Sequence, residues 1–420
     1  MHVRPWQAVA AVAAIGTIAT LAEIPRGDWF TMAALSLCCG VTALSLMGAA
    51  ALLGGRLKPL ESVFGGLDRV YVVHKWLAVA ALVLASVHFT FKAELSDWEL
   101  ASILALPPPA TRLARQLSFL ALMLIVMLAL NRKIPYSRWR LWHKLSGPLF
   151  VIVILHWLSI ESPIQLTSPA GLWLTTFSVL GVAAAAYKLF LYPFFSSHAL
   201  YRVTATTPGA AGLHLQLEPV RGEINYVPGQ FGFLAVKEEG LREPHPFTIA
   251  VGGEGGRVHF IIRNLGDYTA KLVREIRPGM HAEIYAPFGR FQRPGNAAQE
   301  AWIAGGVGIS PFIAWLTDES QAQFDNATLF YFYTPGREFP EASVLEEMAR
   351  RRNASFMAVP GGPSDPDFQQ RFGELVQRVG ADALMVSFCG PPGLLKAIRS
   401  LMSEYNVPKS NLRFEYFEFR

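Results

Sequence analysis

Two stretches, VYVVHKWLAVAALVLASVHFT (Val70–Thr90) and LWHKLSGPLFVIVILHWLSI (Leu141–Ile160), each carry two histidines in an otherwise apolar run. About 20 apolar residues is the length of a membrane-crossing helix. A histidine inside hydrocarbon is costly and marks function by default. On ideal helices His74 and His88 lie about 21 Å apart along the axis, and His143 and His156 about 19.5 Å. Each interval covers most of a hydrocarbon core roughly 30 Å thick. With both helices running the same way, His74 levels with His143 and His88 with His156.

Two stacked imidazole pairs suit two bis-histidine haems. The bland alternative is four histidines satisfied by backbone or serine. Zinc or copper is the weaker metal reading, because each layer offers two ligands and neither carboxylate nor thiolate. Fourteen residues return a helix to within about 40° of its starting face, but thirteen leave it about 140° away. Gly147-Pro148 falls inside the second interval, so a kink or tightened turn is expected there. Phe150 lies between the layers, as an electronic bridge or as plain packing.

Four further apolar runs, roughly Trp6–Leu21, Trp29–Leu53, Leu113–Leu130 and Gly171–Phe194, bring the expected spans to six. A signal peptide is the alternative for the first. The composition agrees: hydrophobic residues make up 52% and charged ones 16%, against about 25% charged in a soluble domain. Arg56, Lys58, Arg69, Arg132, Lys133, Arg138 and Arg140 occupy alternate loops and place those loops, with the N-terminus and the chain after Phe195, in the cytoplasm. Arg112 and Arg115 sit on the other side, for outer-haem propionates or for interfacial snorkelling.

Other classes find little support. A net charge of +5 without a basic stripe argues against nucleic-acid binding. Cys38 and Cys39 are adjacent in an apolar run and Cys389 stands alone, so no disulfide framework or zinc site is available. No obligate protein partner is evident.

After Ser196 the chain reads as an ordinary globular protein. YRVTAT, LHLQLEPV, GQFGFLAV, RVHFIIRN and HAEIYAPFG are short alternating strands of a small antiparallel barrel. From Ala301, AWIAGGVGIS runs from a buried strand into a glycine turn. ATLFYFYT, ASFMAVP and ALMVSFCG then alternate with helical segments, the pattern of a parallel α/β domain. The turn Gly305-Gly306-Val307-Gly308 lets backbone approach a pyrophosphate, although by itself it could equally be a tight strand-to-helix turn. The expected domains are a six-helix all-α bis-haem membrane domain (1–195), an antiparallel β-barrel domain (196–295) and an α/β parallel-sheet domain (296–420).

HPFTIA (His245–Ala250), IIRNLGDYT (Ile261–Thr269), AGGVGISPF (Ala304–Phe312) and CGPPG (Cys389–Gly393) resemble, in this order, the flavin and nucleotide motifs of the ferredoxin–NADP reductase superfamily. With the paired histidines, the whole chain resembles a bacterial NADPH oxidase, a ferric reductase-like transmembrane domain fused to such a dehydrogenase. The resemblance implies that His74, His88, His143 and His156 ligate two b-type haems. It implies that His245, Pro246, Phe247 and Thr248 line FAD, with Thr248 hydrogen-bonded to the isoalloxazine, and that Arg263 and Thr269 hold the FAD phosphates. A structural ion pair and a helix cap are the alternatives for those two. Gly305, Gly306 and Gly308 would take the NADPH or NADH pyrophosphate, with Ser310 and Pro311 opening the helix. Cys389, Gly390 and Pro391 would adjoin the nicotinamide, and Phe417, with Phe419 second, would stack on the flavin. Thr248, Phe417 and Cys389 are thus the expected catalytic residues.

The implied activity is a bacterial inner-membrane NAD(P)H oxidase passing electrons through FAD and two haems to external O2, producing superoxide. A ferric or cupric chelate reductase using the same route is the enzymatic alternative, and a haem-binding scaffold the non-enzymatic one. The short outer loop ESPIQLTSPA leaves the outer haem open to several acceptors. Where some oxidases carry a further histidine four residues after His88, this chain has Lys92. Tyr333 and Arg337 could meet the adenosine ribose or its 2′-phosphate.

Overall fold

The computed structural model describes residues 3–91, 98–131, 133–209, 212–295, 297–320 and 323–415. The chain divides into two compact units, Met1–Phe195 and Ser196–Phe419, each with its own core.

The first unit is helical: α1 Pro5–Leu21, α2 Met32–Gly54, α3 Lys58–Phe64, α4 Leu67–Thr90, α5 Pro108–Leu130, α6 Tyr136–His143, α7 Ser146–Ser159 and α8 Pro169–Ala186. A π-turn, Tyr187–Leu191, and the short α9 Tyr192–Phe195 complete it. α2 is apolar on every side and is central, packing against α1, α4 and α8. Among the described residues, five segments are long and apolar enough to cross a membrane: Met32–Gly54, Leu67–Thr90, Pro108–Leu130, Arg138–Ser159 and Pro169–Phe195. These five, counted among the described residues, match five of the six expected spans, and the sixth, α1, is a shorter apolar helix. α1 has 17 residues, about 26 Å of helix against a core of roughly 30 Å.

The fifth expected span is broken. α6 ends on His143, Lys144 and Leu145 form a turn, and α7 restarts at Ser146. Pro148 explains the position, because it has no N–H for the carbonyl of Lys144 and its ring would clash with that carbonyl. The turn lies between the two histidines, where the helical phase requires a correction.

The second unit opens with a closed barrel, β1 His198–Gly209, β2 Gly212–Arg221, β3 Phe231–Val236, β4 His245–Gly253, β5 Arg257–Arg263 and β6 His281–Phe288, with α10 Asp267–Glu275 between β5 and β6. Strict alternation builds its core. Leu213, Leu215 and Leu217 point inward with Val258, Phe260 and Ile262. HPFTIA supplies β4, a strand beyond the five expected.

A parallel sheet follows, ordered β11-β10-β7-β8-β9: β7 Gln299–Gly305, β8 Ala327–Phe332, β9 Ser355–Val359, β10 Leu384–Cys389 and β11 Leu412–Phe414. Helices α11 Ser310–Thr317, α12 Ala342–Arg351, α13 Pro366–Val379 and α14 Pro392–Glu404 cover it. The central strands are apolar on both faces, as a doubly covered sheet requires. Trp302 and Ala304 pack with Phe312 on one face; Ala301 and Ile303 pack with Phe368 on the other.

Candidate functional site

In the helical unit, α4 carries His74 and His88 against α2. His74 Nδ1 lies 2.7 Å from the carbonyl of Ala50, and His88 Nδ1 lies 2.8 Å from that of Ser36. A carbonyl can only accept, so each Nδ1 is the protonated nitrogen and each Nε2 keeps its lone pair. This is the orientation a metal-ligating histidine takes when backbone fixes its tautomer. The same helix makes room for the rings. A Cβ at Gly40 would lie 2.9 Å from His88 Nδ1, while one at Gly54 would stay 3.7 Å from His74 Cε1. Ser36 and Ala50 are fourteen positions apart, like Gly40 and Gly54, matching the spacing of the two histidines on the antiparallel α4.

The partners come from α6 and α7. The rings of His74 and His143 have centres 6.0 Å apart at 78°. An ion bound by both would separate ring centres by roughly 6 Å, two bonds of about 2 Å plus about 1 Å within each ring. Trp139 stacks on His143 at 5.1 Å and sets its plane. His156 lies on α7, beyond the break, in the last turn before Ile160. The Nδ1 atoms of His143 and His156 are buried without a hydrogen-bond partner among the described residues. Backbone therefore orients the α4 pair, whereas packing orients the other pair. The donor set fits haem iron in two layers. Phe150 is a core residue with Val41, Leu44 and Leu174, and its ring occupies the space where a Cβ at Gly181 would stand.

In the second unit the nucleotide-type motifs converge. β7 and β10 are parallel neighbours, so Gly305 and Cys389 end side by side at the point where strand order reverses. Ligands of open α/β sheets bind there. A Cβ at Gly308 would stand 2.1 Å from the carbonyl of Cys389, and one at Gly305 would stand 2.6 Å from Pro391 Cδ. These two glycines therefore let CGPP close over GGVG, which is reason enough for them without a phosphate. Gly306 has φ +56°, and a Cβ there would lie 2.4 Å from Arg263 Nη1. Arg263, at the end of β5, thus reaches from the barrel to the glycine turn, and it forms no ion pair among the described residues.

Other expected residues divide. Thr248 is 7% exposed and pairs in register with Phe231, while Pro246 pairs with Phe233. His245 and Phe247 alternate to the barrel side: Phe247 packs on the barrel core, and His245 stacks on Tyr268 at 3.6 Å with Glu243 3.6 Å away. The Thr269 hydroxyl accepts from the amides of Leu265 and Gly266, both at 3.0 Å, which is helix-cap geometry. The Ser310 hydroxyl donates to the Val307 carbonyl, and Pro311 stands in the first turn of α11. Tyr333 stacks on Tyr331 at 5.3 Å, and Arg337 is exposed. Phe417, Phe419 and Lys92 lie outside the described residues. Glu415, which sequence reasoning passed over, is 6% exposed. Its Oε1 would lie 2.6 Å from a Cβ at Gly289, and its charge, after burial, raises the Cys389 thiol well above its ordinary value. That thiol is neutral and able to donate.

Among the described residues, a helical unit with five segments apolar enough to cross a membrane is followed by a unit of closed barrel and parallel sheet. Residues 39–155 match the family described as ferric reductase like transmembrane component. The chain joins that ferric reductase-like segment to a unit made of a closed barrel and a parallel sheet. It is 25% identical over 233 residues to the reductase component of propane 2-monooxygenase from Rhodococcus jostii (strain RHA1), covering 51% of this chain and 62% of that one. It is 28% identical over 134 residues to methane monooxygenase component C from Methylosinus trichosporium, covering 31% and 39%. The chain thus spans less than two thirds of either relative. A crystal structure of flavohemoglobin from Malassezia yamatoensis with bound FAD and heme aligns with a TM-score of 0.51 at 15% identity, covering 96% of this chain and 99% of that one. The likeness there is of fold alone.

Proposed function

We propose that this chain is a transmembrane oxidoreductase that takes electrons from NAD(P)H and delivers them across a bacterial inner membrane, with O2 as acceptor and superoxide as product. The observation that carries the reading is the matched pair of histidine–carbonyl contacts, His74 to Ala50 and His88 to Ser36. They prepare two Nε2 lone pairs at two depths, toward His143 and His156. Bound FAD would supply the change from hydride to single-electron transfer, and two haems would supply stepwise electron carriage.

The residues then have separable tasks. Arg263 places a guanidinium fork beside Gly306, suited to the pyrophosphate of a dinucleotide. Thr248 offers a hydroxyl on the outer side of β4, and Cys389 a neutral thiol at the end of β10. Pro246 flanks that position, whereas His245 and Phe247 support the strand from within. His74 with His143 and His88 with His156 would hold the two haems, which would pass electrons on without binding the acceptor.

The ferric reductase-like match over residues 39–155 favours a second reading, in which a ferric chelate is the acceptor. Cytochrome c reduction by the purified, haem-loaded chain separates the two. Inhibition by superoxide dismutase is the result expected for O2. Reduction indifferent to dismutase, with fast ferric-chelate reduction, would overturn the oxidase reading.

A further inference from the structure

The parallel sheet ends on two strands that differ in kind. β11, at one edge, is three residues long and carries Arg413. Shortness and charge are the usual guards of an open edge. β9, at the other edge, is Ser355–Val359, without a charge, a proline or a bulge. Its Val359 carbonyl accepts from the Tyr333 amide at 3.4 Å, and the strand stays in register with β8 from Ser355 onward. Ser355, Met357 and Val359 therefore turn their main-chain groups to β8, and Phe356 and Ala358 turn theirs to the open edge. That open stretch is bounded on both sides. The Ala354 amide already donates to the Ala349 carbonyl at 3.0 Å, and Pro360 has no N–H.

We propose that β9 is a pairing edge for a second copy of this chain, joined antiparallel about a two-fold axis at Met357. This register sets Phe356 of each copy opposite Ala358 of the other, so each pair exchanges both of its N–H···O=C bonds. Centring on Phe356 would instead spend Ala358 on the occupied Ala354 amide, and centring on Ala358 would spend Phe356 on Pro360. The side chains agree. Phe356 packs on the α12 face, and alternation puts Ala358 on the same face, so each pair sets a ring opposite a methyl. On the α13 face a groove of about 400 Å³ has Ser355 and Met357 as floor and Asp367 and Arg371 as wall. The second copy's Met357, next to the axis, enters that groove. Charge agrees as well. The chain entering β9 is basic, with Arg350 and Arg351 sharing the one carboxylate of Glu347 at 2.5 and 2.7 Å. The chain leaving it carries Asp365 and Asp367. Antiparallel pairing sets each basic entry beside an acidic exit.

The test uses the full chain in detergent with one cysteine added at the edge, the native Cys38, Cys39 and Cys389 being buried. On the axis the two Met357 Cα atoms would lie about 4.5 Å apart, within reach of a disulfide. Mild oxidation should turn Met357→Cys into a covalent dimer. Ser355→Cys and Ala358→Cys, each facing a different residue of the second copy, should stay uncrosslinked. Sedimentation velocity should show the wild-type chain self-associating at micromolar concentration. Ala358→Pro removes an edge N–H and no bond to β8, and should weaken association about tenfold or more. Met357→Lys, which brings two ammonium groups together on the axis, should weaken it similarly with the backbone unchanged. Equal cross-linking of all three cysteine variants would overturn the proposal. So would association undiminished in both Ala358→Pro and Met357→Lys, and so would a wild-type chain that stays monomeric, whether its edge is idle or takes a foreign strand.

Discussion

Arg263 on the barrel and Gly306 on the parallel sheet are complementary: the guanidinium Nη1 would lie 2.4 Å from any Cβ at position 306. Gly306→Ala is therefore expected to push this arginine aside and to strain a backbone at φ +56°, at roughly 1–2 kcal/mol. Reduction of bound flavin by NAD(P)H should slow about tenfold or more, measured by stopped-flow absorbance. Arg263→Lys, which loses the fork, should instead weaken FAD retention.

Gly308→Ala meets immovable atoms. Its Cβ would stand 2.1 Å from the Cys389 carbonyl, so β7 and β10 must part at their ends. A loss near 3 kcal/mol is expected, read as a lower Tm of the full chain.

Arg293 and Glu300 form a buried ion pair at 2.9 Å, 10% and 0% exposed, with Glu300 also accepting from Trp302 Nε1 at 2.7 Å. Arg293→Met leaves that carboxylate buried without its charge partner, which should cost about 3–5 kcal/mol. The double variant Arg293→Met/Glu300→Met should recover much of the loss in the same unfolding measurement.

His259 and His214 meet edge to face on the barrel wall with centres 5.2 Å apart. Burial, then His214 and Arg257, lower His259 to about 4, and burial lowers His214 as well. Between about 4 and the ordinary 6.5 the unfolded chain binds more protons, so the stability contribution is complete above 6.5 and is lost as pH falls toward 4. Tm should drop from pH 7 to pH 5 in the wild type, and drop less in His259→Gln.

The architecture was legible where chemistry has a side chain. The thirteen-residue interval announced the break that Pro148 makes after Lys144, and the histidines of that interval and of α4 gave the expectation of two layers. What orients His74 and His88 was illegible, because the carbonyls of Ser36 and Ala50 belong to backbone that any residue supplies. Gly40 and Gly54 did carry a signal, repeating the histidine spacing on the preceding helix. The glycine turn was read for phosphate or for a tight strand-to-helix turn, whereas Gly305 and Gly308 answer first to CGPP, a contact between segments some eighty residues apart. Thr269 is a cap because its hydroxyl serves its own loop. Glu415 was hidden among aromatic residues.

Gly40→Ala and Gly54→Ala separate the two layers. The first would crowd His88 at 2.9 Å, while the second makes only ordinary contact with His74 at 3.7 Å. Gly40→Ala should shift the outer-haem spectrum and potential, and Gly54→Ala should leave both haems unchanged in spectropotentiometry.

Haem content per chain in single-histidine variants tests the central claim most directly, by pyridine haemochrome assay with low-temperature α-band spectra. The account predicts that His74→Leu and His143→Leu each remove the same one of two haems, and that His88→Leu and His156→Leu each remove the other. Undiminished haem in these variants, or loss of different haems from His74→Leu and His143→Leu, would contradict it.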